Sequence, residues 1–307
     1  MELYTYKTAQ PPVLQRPRSV ALGFFDGVHP GHRRVIEAAA QGRTEGAVLC
    51  VYTFDTATFT AKGLPGLLCE DEEEARLLEE LGVEELFRAD FSAVCHLTPE
   101  QFVQQVLHRQ LGAVRVTCGF NYRFGVGGAG DAALLETLCA AYGIAVTVVP
   151  EVVVDGIPVS STAIRQAIAA GDMDTARRLL GRPYGITAPV VEGRRLGRTL
   201  GVPTINQPLN PRLVHPRYGV YASRVEIGSV PYPAVTNIGV KPTVGADAPL
   251  AETYILGYEG DLYGAAPTVY PVKFIRPEQT FASLEALQAQ IRQDADTAAA
   301  LLEMTRT

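Results

Sequence analysis

The sequence predicts two domains of different fold class. The first is an α/β domain with a parallel sheet covered by helices on both sides, and the second is a mostly antiparallel β-barrel or sandwich closed by an α-helix. The chain has 307 residues, which favours two domains over one. Its first half alternates short apolar runs with helical stretches, whereas its second half is a series of short strand-like pieces separated by turn residues.

The elements of the first half alternate in type along the chain. Strands are predicted at 19–25, 47–54, 114–120 and 144–154, and helices at 35–43, 70–82, 97–112, 131–143 and 161–181. The helix over 97–112 has the clearest ends, because Thr98 is a good N-cap, Pro99 suits the first turn and Gly112 stops it. Gly82 likewise fits the end of the helix over 70–82.

The second half changes to a β-rich pattern. Strands are predicted within 186–193, 218–227, 232–239, 251–258 and 268–276, and a final amphipathic helix over 283–304. We place the linker near Arg182–Thr187, which divides the chain into domains 1–184 and 185–307.

Composition and charge exclude several classes of protein. The chain is 47% hydrophobic and 20% charged, as expected of a globular protein, and its net charge of −6 without a basic stripe argues against nucleic-acid binding. The five cysteines are odd in number and lack CxxC spacing, which predicts buried reduced thiols. No apolar stretch predicts a membrane span, so we expect a cytoplasmic protein without a membrane partner and leave weak self-association open.

The segment LGFFDGVHPGHRRVI at 22–36 has the pattern of a phosphate site. A strand runs into a tight turn, in which Gly23 and Gly27 permit close backbone approach, and then into a helix. His29 and His32 lie at the start of this helix, where free N–H groups and imidazoles could face one polyphosphate. The alternative is that the two histidines form a surface turn or a core pair.

The same segment resembles a known signature. HPGH resembles the HxGH motif of the α/β-phosphodiesterase nucleotidyltransferases, and GFFDGVHPGH is similar to the flavin adenylyltransferase module of bacterial bifunctional FAD synthetases. This resemblance implies a Rossmann-like domain in which these residues contact the nucleotide: Gly23, Phe25, Asp26, Gly27, His29 and His32.

Two further segments are similar to the same family. GFNYRFGVGGAGD at 119–131 resembles its flavin-binding loop and implies flavin contacts from Asn121, Arg123 and Phe124. SSTAIR at 160–165 resembles its SSTxIR motif and implies that Ser160, Ser161, Thr162 and Arg165 contact the ATP phosphates, with Arg165 catalytic beside the two histidines. Without the family, SST is more often a plain helix cap.

The segment YTFDTATFT at 52–60 departs from the family pattern. Asp55, which we assign to the flavin site, is retained, but Thr56, Ala57 and Thr58 replace the usual Pro-His-Pro. A monofunctional kinase with a degenerate first module therefore stays an alternative.

A second phosphate site is predicted in EGRRLGRTLGVPTINQP at 192–208. Thr204 and Asn206 lie two apart and share one face of a strand, where a hydroxyl and an amide oxygen suit Mg²⁺. The stretch resembles the riboflavin kinase signature GRxLGxPTxN. The resemblance implies Mg²⁺ ligation by Thr204 and Asn206, and nucleotide contacts from Gly193, Arg198, Gly201, Pro203, Thr204 and Asn206.

AETYILGYEGDLYG at 251–264 resembles the next segment of that family. Glu252 aligns with its catalytic glutamate, which would accept the proton of the riboflavin 5′-hydroxyl; otherwise Glu252 would be a solvent-facing strand carboxylate. Tyr263 and Arg276 are expected near the flavin.

The resemblance extends over roughly residues 15–304 and identifies the chain as similar to bifunctional riboflavin kinase/FAD synthetases. It implies two ATP- and Mg²⁺-dependent reactions with flavin substrates and products: riboflavin to FMN, and FMN to FAD with release of pyrophosphate. A non-enzymatic flavin-nucleotide sensor is the remaining alternative.

Overall fold

The structure is a computed structural model that describes residues 1–6, 16–55, 66–193, 201–228, 230–240 and 249–304. Within it the chain divides into two compact units, Met1–Ser161 and Thr162–Thr307. The predicted fold class is confirmed, since a parallel α/β unit is followed by an antiparallel β unit with a closing helix.

The first unit follows the alternating pattern of the sequence. Its strands are β1 Glu2–Tyr6, β2 Arg18–Leu22, β3 Val48–Phe54, β4 Glu85–Ala89, β5 Ala113–Gly119 and β6 Ala145–Val149, followed by a small hairpin of β7 Val153–Val154 and β8 Ile157–Pro158. Its helices are α1 Pro30–Gln41, α2 Asp71–Glu80, the short α3 Phe91–Val94, α4, which starts at Pro99–Gln101 and continues as a π-helix over Phe102–Gln110, and α5 Ala132–Ala140.

Helices cover both faces of the parallel sheet, whose strand order in the described residues is β1-β4-β3-β2-β5-β6. Strand β3 shows why: Leu49 and Val51 pack with α1 and α2, whereas Cys50 and Tyr52 pack with α4 and α5 on the other face. Because both faces are buried, the central strands are apolar throughout instead of alternating with polar residues.

Three features of this unit differ from the sequence prediction. The sequence does not predict strands β1 and β4. The strand predicted over 144–154 ends at Val149, after which the chain forms the β7–β8 hairpin. Strand β4 was hard to recognise because it carries Glu85 and Arg88, both buried. Arg18 pairs with Glu85 and also donates to the Leu111 carbonyl at 2.9 Å.

The second unit begins with two helices and continues as an antiparallel sheet. Its elements are α6 Ser161–Ala170, α7 Met173–Leu180, β9 Ile186–Thr187, β10 Thr204–Pro208, β11 Gly219–Ile227, β12 Val230–Val240, β13 Pro249–Ile255, β14 Thr268–Arg276 and α8 Leu284–Met304. The helix predicted over 161–181 is interrupted because Gly171 has a φ of +78° and Asp172 caps α7 by accepting from the Thr175 N–H.

The sheet of the second unit curls into a nearly closed barrel. Its order is β10-β13-β12-β11-β14-β9, and the segment after β9 returns to β10, where Val191 N–H donates to the Asn206 carbonyl at 2.9 Å. Helix α8 packs through Ala298 and Leu302 on apolar side chains of β11 and β12. Among the described helices, none combines the length and apolarity that a bilayer span requires.

The buried Arg18–Glu85 pair generates a stability prediction. We expect Glu85→Ala to lower the free energy of unfolding by about 3–5 kcal/mol, because it leaves a buried guanidinium without its carboxylate. Urea unfolding followed by circular dichroism measures the loss. The control is Glu37→Ala in the exposed Arg34–Glu37 pair, where we expect less than about 1 kcal/mol. Equal losses in the two variants would contradict a special role for the buried pair.

Candidate active sites

In the first unit, the backbone of the turn after β2 adopts an unusual conformation. Asp26 is buried and accepts the Leu68 N–H through Oδ1 at 2.8 Å, which ties the turn to the segment before α2. Gly27 and Val28 both have positive φ, of +79° and +41°. A positive φ is unusual for valine, so the surrounding contacts hold this turn in a shape that the isolated peptide would disfavour.

The two histidines of this turn contact each other at the start of α1. His29 is the N-cap residue, and its Nδ1 accepts the backbone N–H of His32 at 3.2 Å. Their rings stack with centroids 3.6 Å apart, and Phe25 packs edge-on to His32. Because a neutral imidazole has one donor and one acceptor nitrogen, using Nδ1 as the acceptor leaves the proton of His29 on Nε2.

Helix α6 starts with the SSTAIR segment. Ser161 donates through Oγ to the Asp26 carbonyl at 3.3 Å, so the structure brings the first serine of this helix to the constrained turn. Thr162 and the buried Arg165 follow within the second compact unit. Their predicted grouping with the histidines around ATP stays a prediction, as does that of Ser160.

The predicted flavin loop follows β5. Phe124 is buried against Phe102 and pairs through its backbone with Gly130, where a Cβ would overlap the Phe124 ring. Arg123 is exposed and lies 3.8 Å from Asp131. Phe120 is half exposed in the same loop and was not singled out from the sequence. The flavin contacts predicted for Asn121, Arg123 and Phe124 stay predictions.

Glu74 of α2 and Arg88 of β4 form a buried ion pair, with 2.6 Å from Oε2 to Nη2. Asp26 is close enough to affect Glu74 electrostatically. Burial raises the pKa of Glu74 to about 7, against the opposing effect of the Arg88 guanidinium. Arg88 also donates to the Asp71 carbonyl, so the pair joins the start of α2 to the sheet.

The second candidate site lies on adjacent strands of the barrel. Asn206 of β10 stands directly opposite Glu252 of β13, and Thr204 donates through Oγ1 to Glu252 Oε1 at 3.1 Å. All three side chains are half-buried. The strand register therefore brings the predicted proton acceptor together with both predicted Mg²⁺ ligands.

The structure describes some of the loop residues that are predicted to contact the nucleotide at this site. Gly193 lies against the Asn206 amide, where a Cβ would overlap that side chain. Gly201 has a φ of +67° and Pro203 is exposed. Arg198 lies outside the described residues, as do Thr56, Ala57 and Thr58 in the first unit.

The two predicted flavin residues of the second unit differ in their surroundings. Arg276 forms a close ion pair with Asp294 of α8, at 2.7 Å from Nη2 to Oδ2, and this pair ties α8 to β14. Tyr263 is exposed in the turn after β13. The third predicted flavin residue, Asp55 of the first unit, directly follows β3 and donates its N–H to the Ala89 carbonyl. Flavin contact stays a prediction for all three residues.

Two family models match the chain in the order of the two units. One, described as FAD synthetase, matches residues 12–163, and one described as riboflavin kinase matches residues 180–302. A bifunctional riboflavin kinase/FMN adenylyltransferase from Escherichia coli (strain K12) is 38% identical over 293 residues, which are 94% of this chain and 93% of the relative. This chain belongs to the bifunctional riboflavin kinase/FMN adenylyltransferase family.

Another relative agrees with this family membership, and one solved structure is similar in fold. The bifunctional riboflavin kinase/FMN adenylyltransferase of Bacillus subtilis (strain 168) is 34% identical over 90% of this chain and 89% of its own length. A crystal structure from Streptococcus pneumoniae, described as a macrolide-efflux protein, has a TM-score of 0.85 at 30% identity and covers 97% of this chain and 99% of that chain.

The capping role of His29 generates a prediction that separates stability from catalysis in this family member. We expect His29→Ala to lower the free energy of unfolding by about 0.5–2 kcal/mol, because the first turn of α1 loses its acceptor. His29→Asn supplies another good N-cap and should keep nearly all of that stability. Thermal unfolding of both variants measures the difference. If both destabilise equally, the ring contributes by stacking on His32 and not by capping.

Proposed function

We propose that the second unit phosphorylates riboflavin to FMN with ATP, and that the first unit, with the segment up to residue 184, transfers AMP from a second ATP to FMN and releases pyrophosphate. The observation that carries the kinase assignment is the Thr204–Glu252 hydrogen bond with Asn206 opposite the same carboxylate. Membership in a family with both activities supports assigning the two reactions to one chain.

In the kinase reaction, Glu252 receives the proton of the riboflavin 5′-hydroxyl. The hydroxyl oxygen forms a bond to the γ-phosphorus of ATP while the bond to the bridging oxygen breaks, and ADP leaves. The hydrogen bond from Thr204 holds one carboxylate oxygen of Glu252, so its position relative to the substrate is set before reaction.

The residues beside Glu252 are suited to a magnesium ion. Thr204 Oγ1 gives its hydrogen to Glu252 and keeps its lone pairs, and Asn206 supplies an amide oxygen, so both are oxygen ligands of the type that Mg²⁺ prefers. When bound with ATP, Mg²⁺ neutralises charge on the phosphate oxygens. Thr204 and Asn206, on the strand paired with that of Glu252, would hold it.

In the adenylyltransferase reaction, an FMN phosphate oxygen attacks the α-phosphorus of ATP and pyrophosphate leaves. His29 presents an Nε2–H donor because its Nδ1 caps α1. His32, stacked on it, adds a second imidazole at the same helix N-terminus, where backbone N–H groups also favour an anion. These groups would stabilise the negative charge that develops on the phosphates.

Product analysis with two single-site variants tests the division of labour. We expect Glu252→Gln to slow FMN formation from riboflavin by about 10²–10⁴-fold, since the proton acceptor is lost, while FMN is still converted to FAD. We expect His29→Asn to slow FAD formation from FMN by at least about 10²-fold, since the shorter amide side chain does not place an N–H donor where Nε2 of the imidazole lies, while FMN formation persists. Separation of the flavins by chromatography measures both.

The same assay decides between the alternatives. A wild-type protein that makes FMN from riboflavin but no FAD from FMN would be a monofunctional kinase, as the residues Thr56-Ala57-Thr58 first suggested. Binding of flavin nucleotides without either product would favour the sensor. Unchanged FMN formation by Glu252→Gln would remove the kinase assignment of this site.

The metal site gives a separate prediction. We expect Thr204→Ala to raise the Mg²⁺ concentration needed for half-maximal FMN formation by at least about tenfold, because an oxygen ligand is lost. Thr204→Ser keeps the hydroxyl and is the matched control, expected to stay close to wild type. Magnesium titration at saturating ATP measures the shift. An unchanged requirement in Thr204→Ala would show that this hydroxyl does not hold the metal.

A further inference from the structure

A row of directly opposed residues crosses the barrel at the level of Glu252. It runs from Asn206 on β10 through Glu252 on β13 and Asn237 on β12 to Val220 on β11 and Arg276 on β14. Glu252 therefore has an asparagine on each side. Asn206 is expected from its motif, whereas Asn237 has no role in the proposed site.

The side-chain amide of Asn237 is held in one orientation. Its Nδ2 donates to Glu278 Oε1 at 3.3 Å, and the carboxylate of Glu278 lies over Gly239, where a Cβ would overlap it. Rotating the amide by half a turn would place its oxygen against this carboxylate, which accepts only. Glu278 thus directs the Oδ1 atom of Asn237 away from itself.

The Oδ1 atom of Asn237 is buried and, within the part of the chain that the structure describes, has no hydrogen-bond donor. Its neighbours in the row are Glu252, which as a carboxylate can only accept, and the apolar Val220. Leaving a buried acceptor without a donor costs about 1–3 kcal/mol of desolvation free energy. A donor from a bound molecule would therefore stabilise this atom.

Riboflavin carries a donor of this kind beside its reacting hydroxyl. Opposed side chains on adjacent strands have Cβ atoms about 4.5–5.5 Å apart, so a ligand hydroxyl at Glu252 brings its neighbouring groups near Asn237. The reacting 5′-hydroxyl of the ribityl chain is followed by the 4′-hydroxyl on the adjacent carbon. We propose that Asn237 Oδ1 accepts a hydrogen bond from this 4′-hydroxyl and makes the kinase site selective for a vicinal diol.

This inference rests on the proposed kinase function and assigns two new roles within it. Asn237 is a specificity-determining residue that touches the substrate. Glu278 is a positioning residue that acts through the Asn237 amide.

The test measures the ATP-dependent phosphorylation of the 5′-hydroxyl with riboflavin and with 4′-deoxyriboflavin as substrates. We expect wild type to use the deoxy compound about 3–10-fold less efficiently in kcat/KM, the value of one neutral hydrogen bond. Asn237→Ala should lose the same factor on riboflavin, mainly through a higher KM, and lose nothing further on the deoxy compound. This non-additivity is the signature of a direct contact.

Matched variants keep the test decisive. Asn237→Val suits a strand and also lacks the acceptor, so it should repeat the result if Asn237→Ala folds poorly. Glu278→Gln permits either amide orientation and should reduce the discrimination between the two substrates. The control Glu226→Gln changes an exposed barrel carboxylate that Tyr270 contacts, and should leave the discrimination intact.

The outcomes separate the inference from the function on which it rests. Wild type that makes no FMN from riboflavin would overturn the kinase assignment. Wild type that makes FMN but treats both substrates alike would overturn the role of Asn237 alone, as would full discrimination retained by the Asn237 variants. Unchanged discrimination in Glu278→Gln would remove the positioning role of Glu278.

Discussion

The pairing of β13 with β10 on one side and β12 on the other is the constraint on which the proposed kinase site depends. It sets Glu252 between Asn206 and Asn237. A shift of one residue along the strand would replace Glu252 by Ala251 or Thr253, which are both fully buried on the opposite face. The backbone hydrogen bonds that stabilise the barrel therefore also define which side chains lie beside Glu252 in the proposed kinase site.

In the first unit, the candidate groups His29 and His32 are positioned by the start of helix α1 and not by the register of paired strands. His29 uses one ring nitrogen to cap α1 and so directs its remaining N–H elsewhere. The turn before it is held by Asp26, which contacts Leu68 through its carboxylate and Ser161 through its carbonyl. In both units, a polar side chain of the candidate site is oriented because one of its atoms has a partner within the protein.

Much of the fold could be predicted from the sequence, because apolar runs, helix caps and glycines report on local structure. The elements that the sequence did not reveal depend on distant partners: the charged residues Glu85 and Arg88 of β4 are buried as ion pairs with Arg18 and Glu74. The predictions for Glu252, Thr204 and Asn206 likewise rest on local sequence motifs. Asn237 could not be found in this way, since its orientation depends on Glu278, 41 residues further along the chain.

The two proposed active sites of this chain are separate and are linked by FMN, the product of one and the substrate of the other. The most direct test mixes the Glu252→Gln and His29→Asn proteins with riboflavin, ATP and Mg²⁺ and measures FAD. We expect neither variant alone to form FAD at an appreciable rate, while the mixture forms it, because FMN released by one protein is adenylylated by the other. FAD formation from riboflavin at the wild-type rate by either variant alone would contradict the account.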